Sequence, residues 1–248
     1  MLHFPVLLEE SVDFLLNDLN GHYIDCTFGR GGHSMLILEK LSKDGFLTGI
    51  DKDPDAYEYA TKLKNNNFKI INDSFKNIEK YFKEESISGI LYDLGTCSTH
   101  LDQAERGFSF NKDGPLDMRF NNQKGIPLSD WLENALEEEI RDILFKYGDE
   151  KHAKLISSAI FKSKIKNKIT TTTQLSKIIK DIYPEKDKKI HPATKSFQAF
   201  RIFINNELEE ITMSLKAAEK LIKLGGYIVT IAFHSLEDNI IKNFFKPS

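Results

Sequence analysis

The sequence predicts an α/β fold: a doubly wound, mainly parallel sheet interrupted by an inserted helical segment. Two observations carry that expectation. Four short apolar runs each lead into an aspartate, at Asp25, Asp51, Asp73 and Asp93, with helical stretches between them. After Asp93 the rhythm stops for about a hundred residues, then resumes with a long helix and one more apolar run. Strands and helices alternating in this way form parallel sheets whose ligands sit beyond the carboxyl ends of the strands.

The elements follow in order. Pro5-Val6-Leu7-Leu8 leads into a helix with Val12, Leu15 and Leu16 at helical spacing. The first strand, Tyr23-Ile24-Asp25, breaks into Cys26-Thr27-Phe28-Gly29-Arg30-Gly31-Gly32-His33, and a helix is predicted over residues 34–41. Glycines in that turn admit positive φ angles and let a ligand approach the backbone, with the amides of the next helix facing it. Strands over 46–50, 68–71 and 89–92 deliver Asp51, Asp73 and Asp93, with helices over 55–63 and 78–82 between them. The four aspartates are therefore expected around one crevice.

Residues 95–122 show no clean periodicity, and an irregular stretch of that length inside a compact protein reads as functional. A single helix is predicted over 129–148 with Ser129 as its N-cap, then one carrying Leu155, Ile156, Ala159 and Ile160, then one capped by Thr173. From His191-Pro192-Ala193-Thr194 a long helix places Phe197, Phe200, Ile204, Leu208, Ile211 and Leu215 on a core-facing stripe, with Gly225-Gly226 closing it. Residues 227–233 form the last strand and deliver His234-Ser235-Leu236-Glu237-Asp238 to the same edge.

Composition narrows the function classes. The chain has 248 residues, 40% hydrophobic and 29% charged, with no apolar run approaching a membrane span and no signal-peptide pattern. A cytoplasmic location is the expectation. Cys26 and Cys97 make neither a disulfide framework nor a zinc spacing, and no His/Cys/acid cluster suggests a metal. The net charge of −3 conceals an asymmetry: residues 151–201 hold thirteen Lys and Arg against three acids, a local +10. A polyanionic partner fits that stretch, and a solvated helical surface is the alternative.

The turn itself points to a nucleotide-like ligand. Counted from Gly29, a dinucleotide fingerprint would need glycine where Ser34 stands, which weakens a nicotinamide dehydrogenase reading. Gly29-x-Gly31-x-His33 looks more like the first motif of S-adenosylmethionine-dependent methyltransferases, and Asp51 stands where a carboxylate can accept ribose hydroxyls.

Seven motifs then occur together: the run from Thr27 to Ser34, Ile50-Asp51-Lys52-Asp53-Pro54, Asp93-Leu94-Gly95, Glu105-Arg106-Gly107-Phe108-Ser109-Phe110, Asp113-Gly114-Pro115-Leu116-Asp117-Met118-Arg119, His191-Pro192-Ala193-Thr194, and Phe233-His234-Ser235-Leu236-Glu237-Asp238. In this order and over nearly the whole chain the set resembles the family of ribosomal RNA small-subunit methyltransferases H, the MraW methylases. The resemblance implies a Rossmann-like class I methyltransferase sheet, S-adenosyl-L-methionine as cofactor, and methylation of the N4 amine of a cytidine in the small-subunit ribosomal RNA. It implies that Gly31, Gly32 and His33 line the methionine and ribose end, that Asp51 holds the ribose hydroxyls, that Phe75 packs on the adenine and that Asp93 lies near the sulfonium. His100 stands where the family has glutamine and is carried as a further cofactor contact.

Asp93 and His234 are the candidate catalytic residues. Asp93 or a nearby carbonyl would accept the amine's hydrogens, and His234 or Phe108 would cradle a flipped cytosine; a capping or core role is the alternative for His234. The implied organisation is a methyltransferase domain in two parts, 1–98 and 193–248, around an RNA-binding helical insertion at 99–192, with a C-terminus shorter than the family's. The partner would be the 30S subunit, a membrane is not expected, and a homodimer is left open. Two rivals remain: Cys97 as a nucleophile for carbon-5 cytosine methylation, and a non-catalytic RNA-binding assembly factor that keeps the fold.

Overall fold

The structure is a computed structural model that describes residues 5–183 and 191–246. In chain order these form α1 (Leu8–Leu15), β1 (His22–Asp25), α2 (Gly32–Lys40), β2 (Phe46–Ile50), α3 (Pro54–Thr61), β3 (Phe68–Ile71), a 3-10 turn (Phe75–Lys80) and β4 (Ile87–Asp93). There follow α4 (Ser98–Asp102), a second 3-10 turn (Ala104–Arg106), α5 (Leu128–Asn134), α6 (Glu137–Gly148), α7 (Ala153–Lys166), α8 (Thr172–Lys180) and α9 (Thr194–Asn205). Then come α10 (Glu207–Leu221), β5 (Ile222–Ile231) and α11 (Ser235–Phe244). The chain divides into two compact units, 1–95 with 208–248, and 96–207. The divisions drawn from sequence, at 98/99 and 192/193, leave 96–98 and 193–207 with the sheet rather than with the helical unit.

In the first unit the expected parallel sheet forms, with strand order β3-β2-β1-β4-β5 and every pairing parallel. The chain moves outward from β1 to β3 and then returns to the other side of β1, so β1 and β4 flank the point where the order reverses. In such sheets that point opens a crevice at the carboxyl ends. β4 is buried from Ile87 to Tyr92, as a central parallel strand covered on both faces must be. One face packs Tyr23, Leu47 and Leu91 against Val12 and Leu15 of α1 and Ile37 of α2. The other packs Ile24, Ile90 and Tyr92 against Ile211, Leu215 and Ala218 of α10.

Two sequence expectations are corrected at the return to the sheet. The single long helix is broken at Asn206, whose left-handed backbone (φ 52°) separates α9 from α10. Asparagine tolerates that conformation better than most side chains, so an unbroken apolar stripe hides the break. Gly225 and Gly226 do not close a helix but lie within β5, where the register jumps from Ile87↔Ile222 to Gly89↔Tyr227. A Cβ on Gly226 would lie 2.7 Å from the Ile222 side chain and 2.8 Å from Ser88 O, so the irregularity needs glycine.

The second unit is a helical assembly around Leu116, Leu132, Leu144, Ile156, Leu175 and Phe200. The predicted helix over 129–148 is two helices. Ala135 and Leu136 are extended, and Glu139 Oε2 accepts the Leu136 N–H at 2.7 Å to start α6. Lys164 Nζ closes the end of α5 by donating to Leu132 O (2.9 Å) and Glu133 O (3.2 Å). Ser129 lies inside α5 rather than capping it, and α8 is capped by Thr171, whose Oγ1 accepts from Gln174 N, rather than by Thr173. Thr173 instead donates to Asp113.

Residues 107–125 form no regular element but are closely cross-braced. Buried Arg106 donates to Phe120 O (2.8 Å), Arg119 grips both oxygens of Asp117 (2.7 and 2.6 Å), and Asn205 joins Phe120 N (2.7 Å) to Met118 O (2.7 Å). A Cβ on Gly114 would sit 1.9 Å from Ala104 O. The segment's motif residues are thus engaged in holding its own backbone.

Candidate cofactor and catalytic site

The carboxyl edge of β1 sets the site. Asp25 is buried and accepts from Thr27 N (3.0 Å) and Ser34 Oγ (2.6 Å), which ties the strand end to the first turn of α2. Burial raises its carboxyl above the ordinary carboxylate range, against the opposing pull of Ser34, His33 and Thr27. Asp51, just past β2, accepts Gly29 N at 2.8 Å and Asp53 N at 2.9 Å. Asp93 ends β4, and its N–H donates to Thr27 Oγ1 at 2.7 Å. His33 bridges the two sides of the turn, with Nε2 3.2 Å from Val6 O and Nδ1 3.7 Å from Asp93 Oδ2.

The glycines have a packing reason beside the ligand reason. Gly31 has φ 77° and a Cβ there would meet the Phe28 ring at 2.9 Å, while one on Gly32 would meet Pro5 Cγ at 2.2 Å. Gly29 also has positive φ, 55°, which turns its N–H toward Asp51.

Of the four strand-end aspartates, Asp25 and Asp73 brace their own loops. Asp73 accepts from Asn77 (3.0 Å) and Tyr81 (2.7 Å) across the 3-10 turn; burial opposes ionisation there, yet these bonds leave its carboxyl below the usual range. Asp51 and Asp93 are half-buried beside the glycine turn. Around them the loops are pinned: Lys52 pairs with Glu210 at 2.6 Å, and Arg30 donates to Asp55 O at 3.1 Å. Phe75 starts the turn after β3, meets Tyr92 edge-on at 5.8 Å, and its carbonyl accepts from Ser214 Oγ at 3.0 Å.

His234 is the N-cap of α11. Its Nδ1 lies 3.4 Å from Glu237 N and its Nε2 3.0 Å from Glu237 Oε1, so both ring nitrogens face one fully buried residue. Those contacts build the capping arrangement weighed as the alternative for this histidine. In the second unit His100 is buried and packs at a tilt against both Phe108 (4.9 Å) and Phe120 (5.1 Å), which stack on each other at 5.3 Å, with its Nδ1 3.2 Å from Cys97 Sγ. Burial pushes the Cys97 thiol up, but the contacts with His100 and Thr99 together outweigh it and the net shift is downward.

The basic stretch divides by use. Lys164 caps α5, Lys168 pairs with Asp130 (2.9 Å), Lys195 with Asp149 (3.6 Å) and Arg201 with Glu207 (2.8 Å). Lys151, Lys154, Lys162, Lys166, Lys177 and Lys180 are exposed. Glu185, Lys186, Asp187, Lys188 and Lys189 lie outside the described residues.

Against known proteins, the sequence model of the MraW methylase family matches residues 1–248. The chain belongs to the MraW methylase family. A relative from Marinomonas sp., "Ribosomal RNA small subunit methyltransferase H", is 45% identical over 250 residues, 98% of this chain and 80% of its own length. Relatives of the same name from Acinetobacter baumannii and Buchnera aphidicola are 47% and 46% identical, over 99% and 98% of this chain and 81% and 79% of theirs. A methyltransferase from Streptococcus mutans solved in complex with SAH matches 46% of this chain and 72% of its own, at 25% identity and a TM-score of 0.29.

In this MraW-family chain, sequence reasoning missed Thr27, Ser34 and Glu237, whose side chains tie the strand ends together. Thr27 and Ser34 lie two and nine residues after Asp25, spacings a strand-to-helix turn brings back to its own carboxylate. Glu237, three residues past His234, fits the capping-box spacing.

Proposed function

We propose that this protein transfers the methyl group of S-adenosylmethionine to the N4 amine of a cytidine in the small-subunit ribosomal RNA, acting on the 30S subunit in the cytoplasm. The observation that carries the reading is the pairing of Asp51 and Asp93 with the glycine turn at the carboxyl edge of a MraW-family sheet. Two carboxylates beside a tight turn suit a ligand that carries vicinal hydroxyls and positive charge.

Gly31, Gly32 and His33 would face the methionine and ribose end, Asp51 the ribose hydroxyls, and Phe75 the adenine. Asp51 is oriented for this by the Gly29 and Asp53 N–H groups, which fix the plane of its carboxylate. When bound, the cofactor supplies an electrophilic methyl group on a sulfonium. The protein's part is to aim the amine lone pair and to take one proton, because the nitrogen gains a methyl and must shed a hydrogen. Asp93, fixed through Thr27 and next to His33, would take that proton. The exposed lysines of α7 and α8 would meet RNA phosphates.

A calorimetric titration with S-adenosylmethionine and a radiolabel transfer assay on 30S subunits test the reading together. Binding plus transfer supports it. An absence of binding heat would favour the non-catalytic RNA-binding alternative, and undiminished transfer by Asp93→Ala would remove Asp93 from the proton's path.

A further inference from the structure

At the carboxyl end of β5 stands an aromatic ring that none of the steps above uses. Phe233 is 56% exposed, although Leu94 and Ile231 beside it are only 4% and 6% exposed. The β4–β5 register aligns Asp93 with Ile231, so Phe233 projects from the strand end adjacent to the one that carries Asp93. Its ring leans on Gly95: a Cβ there would lie 3.6 Å from Phe233 Cδ2, and Gly95 has φ 97°. The ring therefore sits against Gly95 while about half of the residue faces solvent.

Its backbone is held firmly. Glu237, fully buried, accepts the Phe233 N–H at 2.9 Å and the His234 N–H at 3.4 Å, and places its other oxygen 3.0 Å from His234 Nε2. A buried carboxylate is costly unless it is hydrogen-bonded, and these bonds hold the backbone of residues 233 and 234. Helix capping accounts for the His234 contacts. It leaves the exposure of an ordered apolar ring next to Asp93 without a purpose in the fold.

We infer that Phe233 is the platform on which the target base stacks. This rests on the proposed function, since an amine presented to a methyl group near Asp93 belongs to a base taken out of its own stack. Extruded bases are read by stacking on aromatic side chains, and every base offers a π-face for it. A cytosine on Phe233 would lie beside the Asp93 strand end, while His234, tied to Glu237, stays with the helix cap.

The test compares Phe233→Leu, which keeps an apolar side chain on Gly95, with Phe233→Tyr, which keeps the ring. Methyl transfer to 30S subunits, S-adenosylmethionine affinity by calorimetry and thermal unfolding are read for each. Phe233→Leu is expected to lower kcat/KM for the subunit by about tenfold or more, the scale of one lost base–aromatic stack, with unchanged cofactor affinity and Tm. Phe233→Tyr recovers most of that loss. A small-subunit RNA fragment carrying 5-iodocytidine is expected to photocrosslink to the peptide that contains Phe233. Full kcat/KM in Phe233→Leu, or an equal loss of cofactor affinity, would overturn the stack and leave the functional reading standing. A Phe233 adduct on a protein that transfers no methyl to 30S subunits would do the reverse, and the absence of both would remove both.

Discussion

At the carboxyl edge of the sheet, Asp25, Asp51 and Asp93 surround a glycine turn; between Arg106 and Gly125 a second stretch rich in glycine and aspartate folds on itself. In the second, Asp117 meets a guanidinium on both oxygens, and Arg106 and Asn205 take up the backbone polar groups of residues 118–120. In the first, Asp51 meets neutral backbone N–H groups, and Asp93 is fixed through its own N–H. The Asp117 carboxylate is matched by a guanidinium within its own loop, whereas backbone amides orient the Asp51 carboxylate at the glycine turn and the Asp93 carboxylate faces His33. The two stretches look equally functional as sequence, and the partner of each carboxylate separates them.

Substitutions on each side should break function in one region and stability in the other. Asp93→Ala is expected to lower methyl transfer about a hundredfold or more, within the range for a positioned proton acceptor, with Tm close to the parent; a fall of less than threefold would return Asp93 to the scaffold. Asn205→Ala leaves Phe120 N and Met118 O buried without their partner, and should cost about 2–3 kcal/mol in chemical denaturation. Its cofactor affinity should stay at the parent value, and a large loss there would erase the distinction between the regions. Asp51→Ala should weaken S-adenosylmethionine binding roughly tenfold, about 1.4 kcal/mol, by calorimetry. Unchanged binding would take Asp51 out of the cofactor site.

A smaller effect comes from the opposite end of the sheet. His22 lies 2.8 Å from Thr48 Oγ1, and burial, with Lys69 second, holds its pKa down at about 4. A folded-state value below the ordinary 6.5 means the unfolded chain binds the proton first. The stability it contributes is full above about pH 6.5 and is lost as pH falls toward 4. A decline of roughly 1 kcal/mol is expected, discounted because the ring is partly exposed. The Tm of His22→Gln should fall less than the parent's over that interval; parallel curves would contradict the assignment. Cys97→Ser should leave methyl transfer within twofold, because the proposed displacement at an amine uses no thiolate; an abolished rate would bring back the carbon-5 reading.

The sheet was legible because its signals are local. Apolar runs ending at Asp25, Asp51 and Asp93 and the glycines after Asp25 define strands and a turn without knowledge of the rest. Breaks within helical stretches were not, because they depend on distant partners. Lys164 reaches back from α7 to end α5, and the turn at Asn206 lies within an uninterrupted apolar stripe. The basic stretch was legible as charge but not as use, since the ion pairs of Lys168, Lys195 and Arg201 are made across the tertiary fold or a helix junction. Asp51 and Asp93 were read as site residues from position alone, while the bracing roles of Asp25 and Asp73 emerge only from their hydrogen bonds.

The most direct measurement is the identity of the product nucleoside. 30S subunits from cells that lack this protein would be incubated with it and labelled S-adenosylmethionine, and the RNA digested to nucleosides and resolved by mass spectrometry. The expected result is label in N4-methylcytidine, lost with Asp93→Ala; label in 5-methylcytidine or another nucleoside, or none in the RNA, would contradict the account.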